Sequence, residues 1–138
     1  MRRRAKNIAR IALACALGAA GALHAQPVDY PSKQLRIIVP FVAGGSTDIL
    51  ARLVGQHLTE RWGRQVLIDN RPGANGVIAA EFTAKAAPDG HTLLFVAIGH
   101  AINPLLQKNL PYDTERDFTP VSLAAVLPQI LTVHPSVP

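Results

Sequence analysis

Leu35-Arg36-Ile37-Ile38-Val39-Pro40-Phe41-Val42-Ala43-Gly44-Gly45-Ser46-Thr47-Asp48 is the stretch that decides how this chain folds. An apolar, β-branched run ends at Pro40. Two glycines follow, then three helix N-capping residue types, then a long amphipathic segment. The pattern predicts a buried strand over Leu35–Val39, a loop with bare backbone at Gly44 and Gly45, and a helix from about Thr47 to Arg61. Glycines admit a ligand close to the main chain, and a helix start offers unpaired N–H groups with partial positive charge. Such a loop suits a small anion, most simply a carboxylate.

Outward from this loop, the helix carries an apolar stripe of Ile49, Leu50, Leu53, Val54, Leu58 and Trp62, and Gly63 stands at its C-terminal position. A second strand is expected over Gln65–Asp69, and Arg71–Gly76 is turn-rich. A second helix is expected over about Val77–Ala87, a turn at Pro88-Asp89-Gly90, and a third strand over His91–Ala97, apolar enough to be buried on both faces. Strand, helix, strand, helix, strand at this spacing means right-handed βαβ units and a parallel sheet. Further on, the residue pattern suggests a short helix over Ala101–Leu106, a polar loop over Asn109–Pro120, and strands over Val121–Val126 and Gln129–Val133. His134–Pro138 reads as an extended crossing segment.

The N-terminus has a different character. Residues 1–25 hold five of the 14 Lys and Arg and none of the nine Asp and Glu, and Ile11–Leu23 is uncharged. A basic start, an apolar run too short for a comfortable membrane span and a small residue at Ala25 describe a secretory signal peptide. Cleavage after Ala22 is the alternative site. Cys15 lies inside the apolar run and not at its end, which argues against a lipidated cysteine. The arginine cluster lacks the apolar residues that follow a twin-arginine pair.

Residues 26–138 are then balanced, with nine basic and nine acidic residues, so the pI near 10 belongs to the leader. No basic patch argues for nucleic acid. The one cysteine lies in the leader, which leaves no disulfide or thiolate metal site for the rest. The remaining 113 residues suffice for one small domain. Its high Val, Ile, Leu and Ala content with few aromatics is that of an α/β interior.

Three glycine-containing loops follow the three strands: Phe41–Asp48, Asn70–Gly76 and Ile98–Pro104. In a parallel sheet all three emerge at the carboxyl edge, where small ligands bind. The first is neither a P-loop, since no Gly-Lys-Ser/Thr follows, nor a dinucleotide fingerprint. Ser46 lacks the Gly-x-Ser-x-Gly context of a nucleophile elbow. The histidines at 24, 57, 91, 100 and 134 have no metal-ligand spacing. Only His100, in the third loop, keeps a binding role open.

Several motifs occur in order. They are Tyr30-Pro31-Ser32-Lys33, the Ile38–Phe41 run with Gly44, Gly45 and Asp48, and Asn70-Arg71-Pro72-Gly73-Ala74 with Gly76. Then come Ala86–Gly90 with Thr92-Leu93-Leu94, Asn103-Pro104 with Leu106, Leu110–Asp113, and Asp117-Phe118 with Pro120-Val121. Together they resemble the periplasmic substrate-binding receptors of tripartite tricarboxylate transporters, the Bug family. The resemblance implies an α/β fold of the type II periplasmic-binding-protein (Venus flytrap) kind, with two lobes closing on a small organic anion for delivery to membrane transporter subunits. It implies ligand contacts at Ala43, Gly44, Gly45, Ser46, Thr47 and Asp48, and at Gly99 and His100, largely through backbone groups and bridging water. Asp48 is expected to brace the loop, since like charges repel. No catalytic residue, metal or cofactor is implied.

Family members are more than twice as long. The chain is therefore read as a truncated form: leader 1–25, part of the first lobe over 26–126, and the start of the crossing between lobes over 127–138. An α/β enzyme acting on a small phosphorylated substrate, or a non-functional fragment, remain as alternatives.

Overall fold

The computed structural model describes residues 29–128 and 130–137. The signal-peptide reading of residues 1–25 lies outside them. So does Gln129, within the second of the two late strands that the residue pattern suggests.

Strand β1 (Leu35–Val39) lies at the centre of a parallel sheet of order β2-β1-β3, with β2 at Val66–Asn70 and β3 at Thr92–Leu94. Leu35 pairs in register with Val66 and Val39 with Asn70, while Ile38 pairs with Leu94 on the other side. Leu35, Ile37, Ile38 and Val39 are all buried, which is why β1 reads as a continuous apolar run. The chain crosses from β1 outward to β2, then back over β1 to β3. Right-handed crossovers in opposite directions put their helices on opposite faces. Helix α1 (Ser46–Trp62) packs on β1 and β2, and α2 (Val77–Ala84) packs on β3 and β1. One core layer joins Ile37, Val39 and Ala51 to Val54, Ile68, Leu93 and Phe95. The other joins Val77, Ala80 and Tyr112 to Leu94, Leu110 and Phe118. Alternation along β3 thus sends Leu93 and Phe95 to one layer and Leu94 to the other.

Helix α1 meets the sheet on a face that only part of the expected stripe occupies. Its buried residues are Asp48, Ala51 and Gly55, whereas Ile49 and Leu53 remain 59% and 53% exposed. The reason is close approach. A Cβ on Gly55 would come within 3.0 Å of Ile68 Cδ1 and 3.5 Å of Val66 Cγ1, so small residues let the helix sit low on β2. Val54 and Leu58 share the sheet side, and Ile49 and Leu53 turn outward. Gly63 ends α1 in the left-handed region (φ 64°), its N–H donating to the Thr59 carbonyl at 2.8 Å.

Strand β3 is shorter than expected and half-buried, because it has a partner on one side only among the described residues. The second helix is also shorter, and a 3-10 turn at Ala74–Gly76 precedes it. Helix α3 spans Gly99–Leu106, two residues longer than expected at its start. The strand expected over Val121–Val126 is not formed, and neither is one over 130–133. Residues 119–128 and 130–137 are exposed throughout. Their alternating apolar residues have no ladder to join, and without cross-strand hydrogen bonds the pattern alone does not hold an extended chain.

The arm before β1 is pinned to the amino edge of the sheet. Tyr30 Oη donates to the Gly90 carbonyl at 2.7 Å, its ring meets Trp62 edge-on at 5.7 Å, and Lys33 pairs with Asp89 at 2.7 Å.

Candidate ligand-binding edge

The loop between β1 and α1 is bent at Gly44, whose φ of 86° favours glycine. Gly45 is different. It is the N-cap of α1 with ordinary extended backbone (φ −74°, ψ 165°), and a Cβ placed there would come no closer than 3.6 Å to the Val42 carbonyl oxygen. The fold therefore needs glycine at 44 and tolerates a side chain at 45. No side chain caps the helix, and the first helical hydrogen bond runs from Ile49 N–H to the Gly45 carbonyl at 2.9 Å. The N–H groups of Ser46, Thr47 and Asp48 have no partner within the helix. Ala43, Gly44 and Ser46 are exposed, and Gly45 and Thr47 are half-buried.

Asp48 faces the other way. It is 1% exposed, and both carboxylate oxygens are committed. Oδ2 accepts from the Gly44 N–H at 2.8 Å and from Arg52 Nε at 2.9 Å, and Oδ1 accepts from Asn70 Nδ2 at 2.9 Å. Asn70 Nδ2 also donates to the Phe41 carbonyl at 3.0 Å, and Arg52 Nη2 donates to Asn70 Oδ1 at 3.2 Å. The Arg52 hydrogen bond, followed by those from Gly44 and Asn70, holds the Asp48 carboxyl at a pKa of about 2. The expected bracing role is what the geometry displays: one carboxylate ties the bent loop to the first turn of α1 and to the end of β2. In the sequence Asn70 stands out only as the start of the second loop, and neither it nor Arg52 is assigned to the site. Arg52 had a signal, since it stands four residues after Asp48 on the same helix face. Asn70 becomes visible only once β2 lies beside β1.

The second and third loops meet through a pair of amides. Asn75 sits in the left-handed region (φ 52°, ψ 37°), and its Nδ2 donates to Asn103 Oδ1 at 2.8 Å. Asn103, 1% exposed, returns a bond from Nδ2 to the Asn75 carbonyl at 3.1 Å. Gly99 lies against this pair, and a Cβ there would meet Asn75 Oδ1 at 3.2 Å. Next to it, the half-buried His100 ring stacks on Tyr112 (5.7 Å between centroids, 18° between planes) and meets Phe118 edge-on at 4.9 Å. A tight turn delivers both aromatics, with Asp113 N–H donating to Asp117 Oδ2 at 2.8 Å. Burial lowers the His100 pKa below its ordinary value, so the ring is neutral at pH 7.

The three loops converge at the carboxyl edge. A shallow recess there is lined by Phe41 from the first, Asn75 and Gly76 from the second, and Gly99 and His100 from the third. Ala43–Asp48 does not line it, so the two groups of candidate residues share one edge but not one pocket. The edge lies at the point where the chain, having gone from β1 to β2, reverses to β3; ligands of open α/β sheets bind at such points.

A Ser–His–Asp order exists at the opposite edge, but its geometry is that of a pin. Ser32 Oγ lies 3.4 Å from His91 Nε2, longer than the usual nucleophile–base hydrogen bond. His91 Nδ1 lies 2.9 Å from the Asp89 backbone carbonyl oxygen, and Asp89 Oδ2 is taken by Lys33. Among the described residues no three His, Cys, Asp or Glu side chains group as metal ligands.

The profile of the tripartite tricarboxylate transporter family receptor matches residues 50–138. The chain belongs to that family. BugT of Bordetella pertussis is 37% identical over 138 residues, an alignment covering 94% of this chain and 41% of BugT. A protein from the tcbD–tcbE intergenic region of a Pseudomonas species is 40% identical over 131 residues, 94% of this chain and 38% of its own length. Among solved structures, MatC from Rhodopseudomonas palustris with bound malate superposes with a TM-score of 0.63 at 40% identity, over 69% of this chain and 33% of that one. An R. palustris protein with adipate gives 0.59 at 43% identity, over 62% and 29%. This receptor-family chain thus spans about two-fifths or less of the length of these relatives. The parallel βαβ sheet expected from the strand–helix spacing is the architecture it shares with these solved structures.

Proposed function

We propose that this chain is the ligand-contacting first-lobe portion of a periplasmic receptor for small carboxylates, serving a tripartite tricarboxylate-type transporter. The observation that carries the reading is the uncapped start of α1 behind Gly44 and Gly45, on a fold whose relatives are solved with malate and with adipate. The N–H groups of Ser46 and Thr47, with the loop backbone on either side of Gly44, whose own N–H is taken by Asp48, supply hydrogen-bond donors and partial positive charge, worth about 0.3–1 kcal/mol when exposed and up to ~2 when partly buried. Gly99 and His100 form the far side of the same edge. Asp48 stays out of contact with the ligand and shapes the loop. The leader is a signal peptide cleaved after Ala25, which fits relatives described as periplasmic. A receptor needs no nucleophile, and a phosphorylated-substrate enzyme would want a Lys after the glycines that this loop lacks.

Calorimetric titration of the protein expressed from its native gene with malate, adipate and glycerol phosphate tests the reading. Heat with a dicarboxylate and none with the phosphate ester is expected. Saturable binding of the phosphate ester alone would replace the carboxylate reading. Mass spectrometry of the exported protein should find Gln26 at its N-terminus, or Leu23 for cleavage after Ala22. An intact Met1–Arg10 segment would refute export by this leader.

A further inference from the structure

The buried Asp48 carboxylate poses an electrostatic problem. It sits in the first turn of the helix whose start is proposed to attract an anion, and it is ionised because all its partners are donors. The loop needs it for shape, since Gly44 N–H and, through Asn70, the Phe41 carbonyl are fixed by it. Yet a full negative charge there opposes the partial positive charge of the helix end. Among the described residues, the ion pair that meets Asp48 is Arg52, with Nε 2.9 Å from Oδ2. Arg71, the other cation near this edge, is committed elsewhere: it pairs with Asp69 at 3.1 Å and lies over the Phe82 ring at 3.5 Å.

We infer that Arg52 is a charge-balancing positioning residue: it cancels the Asp48 carboxylate, so that the Gly44–Thr47 loop presents a net-neutral, dipolar face to an anionic ligand. The inference rests on the carboxylate reading above. Its geometry favours charge over packing. The Arg52 side chain is 53% exposed, and its guanidinium caps the Asp48–Asn70 pair from outside. Taking Arg52 away leaves the core in place and leaves one uncompensated negative charge beneath the loop. A dicarboxylate would then be repelled, and salt would screen the part of that repulsion that crosses the solvent between the loop and the incoming anion.

The test uses the protein expressed from its native gene, with malate as probe, in calorimetry at about 20 mM and about 500 mM NaCl, ionic strengths that bracket strong and weak screening. Arg52→Met keeps the stem without the charge, and Arg52→Lys keeps the charge. Wild-type affinity is expected to change little with salt. Arg52→Met should bind about tenfold more weakly at low salt, the size of one charge acting on a dianion through water-like dielectric, and recover part of that loss at high salt. Arg52→Lys should match wild type within about twofold at both, since a cation still reaches Asp48. Arg52→Gln, read the same way, serves if Arg52→Met does not fold. An unchanged affinity in the neutral variants overturns the inference. So does an equal loss at both salt concentrations, which would make Arg52 a hydrogen-bonding brace only. Wild-type protein that ignores malate overturns the carboxylate reading and this inference with it, whereas wild-type binding with a salt-insensitive Arg52→Met overturns the inference alone.

Discussion

The loop after β1 and the loop after β3 flank the same edge and are held by opposite means. The first is held by charge: an ionised carboxylate collects a backbone N–H, a guanidinium and an amide. The third is held by neutral groups, the Asn75–Asn103 amides and the His100, Tyr112 and Phe118 rings. The difference bears on function. A carboxylate brace works from behind the first loop and leaves the start of α1 without a side-chain cap. The neutral staple spends its polar groups internally, and offers a wall.

The contrast breaks most readily at the staple. Asn103→Leu removes a buried amide and leaves the Asn75 side chain and carbonyl without partners, a cost of about 2–4 kcal/mol for two lost bonds and stranded groups. Urea denaturation should report it as a lower midpoint with an unchanged slope. A loss under ~0.5 kcal/mol, within the range of ordinary surface substitutions, would mean that the staple is not holding the third loop.

A smaller effect separates the two glycines of the first loop. Gly44→Ala forces an L-residue into the left-handed region and should cost about 1–2 kcal/mol. Gly45→Ala, with ordinary backbone and open space, should cost only the ~0.5 kcal/mol by which glycine exceeds alanine at an N-cap. Thermal melts of the two side by side decide it, and the reverse order would contradict the loop geometry.

Acid separates the loops by sequence of failure. The His100 imidazole is depressed in the folded state, so the unfolded chain binds the proton first. The third loop therefore loses stability as pH falls through the ordinary histidine value near 6.5. Asp48 is depressed too, but as a carboxylate its contribution is fully present above the unfolded value of about 3.9 and is lost only as pH falls toward about 2. At pH 4.5, hydrogen exchange should quicken at Gly99–Asn103 before it quickens at Gly44–Asp48. Simultaneous loosening would show that the two loops open as one unit.

The same contrast explains what the sequence made legible. The first loop was readable because its chemistry is local: strand run, glycine pair, capping types and Asp48 lie within fourteen consecutive residues. Arg52 was within reach of the same reasoning, one helical turn on. Asn70 and Asn103 were not, because their partners lie 22 and 28 residues away and meet them only after the sheet has formed. The facing of α1 was legible only in part, right at Val54 and wrong at Ile49 and Leu53, for a related reason. Periodicity counts bulky apolar residues, whereas Gly55 and Ala51 set the contact by letting the helix approach β2. The late strand over Val121–Val126 failed because alternation describes a face and does not supply the neighbour that a strand must pair with.

The decisive position is Gly45, the N-cap of α1. Malate calorimetry on the natively encoded protein, compared with its Gly45→Val variant, addresses it directly. A branched side chain at an ordinary β-region position with open space around its Cβ leaves the fold intact but adds bulk at the N-cap, next in the chain to Ser46 and Thr47. The account predicts that malate binding is abolished while the melting temperature stays close to wild type. An unchanged affinity in the variant would remove this loop from the site.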